Sequence, residues 1–177
     1  DLVPGARALA QRVITAGLGD ADVSPTSVTL AADGRPVVAI DGRTFHLAAR
    51  GRHQAGNAMF AWGVARELGL DLDAVAKALE SFTIPGGRGE LKQHGALTVL
   101  NDGYNANPQS FASVIALAQE MRAGKTLVFV AGTMRELGDH APALHAEVAA
   151  QLAELRPELL ALVGEFVPAF APYRAAF

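Results

Sequence analysis

An α/β fold is predicted for this 177-residue chain, with a β-meander and two helices followed by a parallel sheet with flanking helices. Three observations predict it. The first quarter holds short β-branched and aromatic runs joined by Asp-Gly dipeptides; the apolar spacing then becomes helical; beyond residue 89, strand-like apolar runs alternate with helical stretches. Half of the residues are hydrophobic and 19% are charged, an ordinary globular composition that excludes disordered, fibrous and collagenous classes.

After a short N-terminal helix, the runs 27–32 (SVTLAA), 35–40 (RPVVAI) and 44–49 (TFHLAA) predict three strands, with Asp33-Gly34 and Asp41-Gly42 as tight hairpin turns. From His53 the residues Ala55, Met59, Trp62, Ala65 and Leu68 recur at helical spacing, and Gly69 stands where a glycine ends a helix. A second helix is predicted from about Asp71 or Asp73 to Phe82, with an acidic start and an apolar stripe of Leu72, Val75, Ala76 and Leu79.

Residues 83–89 (TIPGGRG) hold three glycines and a proline between patterned regions, which makes them the expected boundary between a first domain, 1–84, and a second, 85–177. Beyond it come a short strand around 90–93, a turn at His94-Gly95, and the run 97–101 (LTVLN), expected to be a buried strand. Asn107-Pro108 supplies an N-cap and an N1 proline for a helix through about Met121. The continuous apolar run 126–132 (TLVFVAG) predicts a strand buried on both faces. A helix from about Pro142 to Leu155 and the strand 158–164 (ELLALVG) complete the alternation expected of a parallel sheet.

Fifteen basic against eighteen acidic residues leave a net charge of −3, so no basic excess exists to neutralise a nucleic-acid backbone. Without cysteine, disulfides, thiolate zinc sites and cysteine nucleophiles are excluded. The N-terminal residues lack the pattern of a signal peptide. The longest apolar tract, 157–173, contains Glu158, Glu165, Pro168 and Pro172, and falls short of the roughly 20 apolar residues that span a bilayer. The first residue, Asp1, reads as the start of an excised piece of something longer.

Four segments could carry chemistry. The run 101–110 (NDGYNANPQS) lies between a strand end and a helix start, the edge at which open parallel sheets bind ligands. Within it, Asp102 suits a ribose diol equally as well as an ordinary Asx turn. Arg88, between Gly87 and Gly89, offers a planar fork for phosphate oxygens, or a solvated linker charge. His53 and Asn57 share one helix face, turned away from Trp62, and read as a solvent-facing pair with a capping role. The segment 132–147 gathers Asp139, His140, His145 and Glu147, but the His spacing does not match a helical zinc motif, and capping and surface roles are expected. The chain has no phosphate loop, dinucleotide fingerprint or nucleophile elbow.

The segments 51–58 (GRHQAGNA), 86–90 (GGRGE), 101–110 and 132–139 (GTMRELGD), in this order, resemble the Mur ligases of peptidoglycan synthesis. The core 104–108 (YNANP), with ELG downstream, resembles the branch that adds D-alanyl-D-alanine to UDP-N-acetylmuramoyl-tripeptide. The resemblance implies the end of a central ATPase domain followed by most of a Rossmann-like C-terminal domain. It implies an ATP-dependent cytoplasmic ligase acting through an acyl phosphate, with magnesium held mainly by residues preceding Asp1. It assigns Asn57 to adenine, Arg88 to phosphates as the catalytic cation, and Asp102 to ribose. Tyr104, Asn105 and Asn107 fall at the closed interface between nucleotide and dipeptide, and His53 falls on the nucleotide side without an assigned contact. Gln54, Asn101 and Thr133 depart from the Asn, acidic residue and Asp usual at those positions. A non-catalytic nucleotide-binding module and a docking module are the alternatives.

Overall fold

The computed structural model describes residues 3–176; Asp1, Leu2 and Phe177 lie outside the described residues. The chain falls into two compact units, residues 1–83 and 84–177.

The first unit opens with an exposed helix, α1 (Val3–Leu9). Thr15 and Asp22 then clasp a loop, the Thr15 amide and hydroxyl each donating to Asp22 Oδ2 at 2.8 Å. This delivers Val23 to the core. Strands β1 (Ser27–Leu30), β2 (Pro36–Ile40) and β3 (Arg43–His46) form the expected antiparallel meander, pairing Val28 with Val38 and Val38 with Phe45. Asp41 (φ 48°) and Gly42 (φ 73°) make a two-residue hairpin turn, the geometry that needs two positive φ angles. Asp33-Gly34 closes the other hairpin turn, a β-turn over residues 31–34 in which Gly34 N–H donates to the Ala31 carbonyl at 2.9 Å, with Gly34 at φ 80°.

Helix α2 (Arg52–Glu67) buries Ala55, Ala58, Met59, Trp62 and Ala65 against the meander. Trp62 stacks on Phe45, with centroids 5.3 Å apart, and its indole N–H donates to Asp41 Oδ2 at 2.8 Å. The core anchor therefore also fastens the hairpin turn. Gly69 (φ 65°) follows the helix end. Helix α3 (Leu72–Ser81) starts at Asp71, whose carboxylate accepts the Asp73 amide, and its stripe of Leu72, Val75, Ala76 and Leu79 packs on the same core.

In the second unit, β4 (Glu90–His94) and β5 (Leu97–Asn101) pair only with each other, as an antiparallel hairpin. The expectation that 97–101 is a buried strand of the parallel sheet is corrected: Leu97 and Val99 are exposed. A connection at Gly95-Ala96 lets the chain fold straight back, and local pairing satisfies the backbone. Helix α4 (Pro108–Arg122) begins as predicted, with Asn107 and Ser110 forming a reciprocal capping box and Pro108 in the first turn.

Strands β6 (Val128–Ala131) and β7 (Leu159–Leu162) pair in parallel through α5 (Ala141–Leu155), so the fold is α/β with a parallel sheet and flanking helices. A short helix, α6 (Phe166–Ala169), follows. The core joins Phe111 and Ile115 of α4, Val148, Ala149 and Leu152 of α5, Ala131, and Phe166. Burial of β6 on both faces is also corrected. Phe129 and Ala131 face this core, whereas Val128 and Val130 are more than half exposed, because alternate residues point to opposite faces and helices pack on one only. Among the described residues, no helix is long and apolar enough to cross a membrane.

Candidate functional site

In the first unit, the turn that starts α2 places His53, Gln54 and Asn57 together. Gly51, at φ 94°, is the N-cap and supplies no side-chain cap, and the exposed polar residues instead bond to one another. The Asn57 amide donates to Gln54 Oε1 at 3.1 Å, and Gln54 Nε2 lies 3.0 Å from His53 Nε2. The capping role expected of the His53–Asn57 pair is thus replaced by a side-chain relay through Gln54. Asn57 and Gln54 also border a cavity of about 150 Å3 whose apolar lining includes Leu47, Ala49, Leu79 and Phe82. That is smaller than the roughly 300–1,000 Å3 of sites for drug-sized ligands.

In the second unit, the β4–β5 hairpin brings two sequence-distant segments together. Gly89 N–H donates to Asp102 Oδ1 at 2.8 Å, and Tyr104 N–H donates to the Gly87 carbonyl at 3.0 Å. The Arg88 guanidinium carbon lies 4.0 Å from the centroid of the Tyr104 ring. Arg88, Asp102 and Tyr104 are therefore neighbours. Gly87 (φ 76°) and Gly89 (φ 64°) adopt the left-handed backbone that glycine tolerates. The Asx-turn contact falls to Asn101, whose Oδ1 accepts Gly103 N–H at 3.2 Å, and not to Asp102. Glu90, at the start of the hairpin, is held below the ordinary carboxylate range chiefly by its bond with Lys92.

Asn105 Oδ1 accepts the Ala106 amide, and Asn107 Oδ1 accepts the Ser110 amide, both at 2.9 Å. Both side chains shape the approach to α4. Tyr104 is 65% exposed, so its phenol edge is open to a ligand.

In the 132–147 segment His145 is fully buried, in place of the capping or surface role expected for it. Its Nε2 accepts Met134 N–H at 3.0 Å, and its Nδ1 lies 2.7 Å from the Ala141 carbonyl. With Nε2 accepting, Nδ1 carries the proton, and the ring ties the loop after β6 to the first turn of α5. The alternation of apolar residues gave no sign of this, because a buried His is recognisable only by the backbone groups it meets. Thr133 has a comparable role: its Oγ1 accepts Glu165 N–H at 3.2 Å, and a Cβ on Gly164 would lie 2.0 Å from it. Among the described residues, no group of three or more His, Asp or Glu side chains converges on a metal position.

Comparison with known proteins identifies the family. Residues 87–174 match the family described as Mur ligase, glutamate ligase domain. The UDP-N-acetylmuramoyl-tripeptide--D-alanyl-D-alanine ligase of Bacillus subtilis (strain 168) is 34% identical over 108 residues, 60% of this chain and 24% of that protein. The ligase of the same name from Synechocystis sp. is 32% identical over 145 residues, 81% of this chain and 30% of that protein. MurF from Acinetobacter baumannii superposes with a TM-score of 0.84 at 27% identity, covering 96% of this chain and 38% of that one. The chain thus spans less than a third of the length of these two curated relatives. From these matches, the chain belongs to the Mur ligase family and is of its MurF type, with the glutamate ligase domain at residues 87–174.

Proposed function

We propose that this chain is the C-terminal part of a cytoplasmic ATP-dependent ligase that joins D-alanyl-D-alanine to UDP-N-acetylmuramoyl-tripeptide, with residues 1–84 ending its central ATP-binding domain and 85–177 belonging to its C-terminal domain. Relatives of that name support the reading. The observation that carries it is the clustering of Arg88, Asp102 and Tyr104, three residues of the family motifs, in one loop pair.

In the proposed reaction a tripeptide carboxylate oxygen attacks the γ-phosphorus of ATP, releasing ADP and forming an acyl phosphate. The amine of D-alanyl-D-alanine then attacks the acyl carbon, loses a proton, and expels inorganic phosphate as the amide forms. Arg88 is proposed as the cation that stabilises charge on the transferring phosphoryl group, where a planar fork matches two oxygens. Asp102 has one carboxylate oxygen engaged by Gly89, which leaves Oδ2 to accept a ribose hydroxyl. Asn57 would read adenine from the rim of its apolar cavity, with His53 behind it through Gln54. Tyr104, Asn105 and Asn107 would line the surface that meets nucleotide and dipeptide. No step is assigned to a metal bound by this chain.

The test uses the complete ligase and tripeptide labelled with 18O in its terminal carboxylate. Transfer of one label to inorganic phosphate, dependent on both ATP and D-alanyl-D-alanine, is expected. Ligation without that transfer would remove the acyl phosphate, and no ligation of D-alanyl-D-alanine would remove the function.

A further inference from the structure

We infer that Tyr104 is the positioning residue for Arg88, its ring and backbone holding the guanidinium ready for an oxyanion before any ligand arrives. This goes beyond an interface role for Tyr104, and rests on the ligase reading only for the identity of the oxyanion as ATP phosphate.

A solvated arginine in a glycine-rich linker would be free in both backbone and side chain. Arg88 is held in both. On its N-terminal side, the Gly87 carbonyl accepts Tyr104 N–H; on its C-terminal side, Gly89 N–H is bound by Asp102. Between these two tethers the guanidinium carbon sits 4.0 Å from the Tyr104 ring centroid. A ring face attracts the cation without consuming its N–H donors. Among the described residues none of those donors has a hydrogen-bond partner, and no carboxylate pairs with Arg88. Arg35, Arg43 and Arg122 differ, because their guanidinium groups are committed to carbonyls or carboxylates of the fold.

Gly87 makes the arrangement possible. A Cβ there would lie 3.5 Å from Tyr104 Cβ and N, on a backbone at φ 76°. The contact distance is an ordinary one, and it is the left-handed backbone at Gly87 that a residue with a side chain would adopt only with strain. The tethers also place residues 87–89 with the second unit, so any pivot within the linker lies before Gly87, and Arg88 travels with Tyr104. An arginine held in advance loses less conformational freedom when the anion arrives, so its contribution is larger than that of the same charge on a free stem.

The test has a spectroscopic and a kinetic arm. In the 177-residue chain, the Arg88 side-chain proton resonances should be shifted upfield by the Tyr104 ring, unshifted in Tyr104→Leu, and shifted in Tyr104→Phe. Unshifted resonances in the unaltered chain overturn the inference. In the complete ligase, Tyr104→Leu should lower kcat by about two- to fivefold, the worth of an exposed cation–ring contact, while KM for ATP moves less. Tyr104→Phe should recover most of that loss. In an Arg88→Ala background, Tyr104→Leu should cost nothing further, because the partner is already gone. Equal losses in both backgrounds, or a Phe variant no better than Leu, overturn the inference. An unaltered ligase that fails to ligate would instead remove the functional reading, and the ring-current arm would still decide whether Tyr104 holds Arg88.

Discussion

Asp102 carries two demands on one carboxylate. One oxygen holds the Gly89 amide, and the other is proposed for a ribose hydroxyl. In the complete ligase, Asp102→Ala should raise the KM for ATP by roughly tenfold or more, and that for D-alanyl-D-alanine by less. Losing a hydrogen bond to a charged group costs about 1.5–3 kcal/mol, and ~1.4 kcal/mol is tenfold. Asp102→Asn keeps an acceptor for Gly89, so comparing the two variants by steady-state kinetics separates the loop tether from the ligand contact. Equal ATP dependence in Asp102→Ala and the unaltered enzyme would leave only the tether. His145 makes a structural demand of the same kind. Replacing it by Phe keeps a ring against Phe166 but orphans the buried Met134 amide, an expected loss of about 1–3 kcal/mol. Denaturant unfolding of the 177-residue chain measures it.

At the scale of elements, Glu158 joins the end of α4 to the parallel pair. It accepts the Leu127 amide just before β6, and pairs with Arg122 in the last turn of α4. Its carboxyl is held below the usual carboxylate range, chiefly by the Leu127 amide and, with a smaller share, by Arg122. A group whose pKa is lower in the folded state adds stability above its unfolded pKa, and that stability is lost as pH falls through the folded value. The second unit should therefore lose stability on acidification below the ordinary carboxylate range. Glu158→Gln should flatten that acid limb in a pH series of thermal melts, and an unchanged limb would show that the bond contributes nothing measurable. The hairpin β4–β5 matters in another way. By folding 90–94 onto 97–101, it carries the glycine-flanked Arg88 back to the start of the 101–107 loop. Gly87→Pro would consequently be a poor hinge lock: proline requires φ near −65°, whereas Gly87 is at 76° and is packed on Tyr104.

For the whole molecule, the two units divide the family motifs between them. The Asn57 cavity belongs to the first unit, and the Arg88–Asp102–Tyr104 cluster to the second. Gly124-Lys125-Thr126 lies between α4 and β6 with Gln119 where a phosphate loop has its first glycine, so neither unit contains the pattern G-x-x-x-x-G-K-[ST], and phosphoryl transfer depends on such a cradle and on metal ions. The 177-residue chain by itself should show neither steady ATP hydrolysis nor ligation, which a coupled phosphate-release assay would check. Steady turnover by this chain alone would contradict the proposal that it works as part of a longer ligase.

Much of this was legible in the residues. Local rules act within a few positions, so Asp41-Gly42 announced a two-residue turn, Asp71 and Asn107 announced helix starts, and period-3.6 spacing announced α2 with Trp62 inward. The ordered motifs from Gly51 to Asp139 also announced the family. What tertiary structure alone decided were relations between distant segments. Leu97–Asn101 reads as a buried strand because it is apolar, yet pairing is a property of two strands, and the nearest partner lay just upstream. The run at 126–132 is apolar on both faces of the pleat, but burial depends on what covers each face, and packed helices cover one. His145 looks like a surface residue until Met134 N–H and the Ala141 carbonyl are brought to its two nitrogens. Asp102 could not be assigned to Gly89, nor Tyr104 to Arg88, from spacing, because those contacts exist only once a hairpin has closed the intervening chain. Sequence determines what a segment prefers where its neighbours along the chain supply the forces; tertiary structure decides wherever the partner arrives from elsewhere.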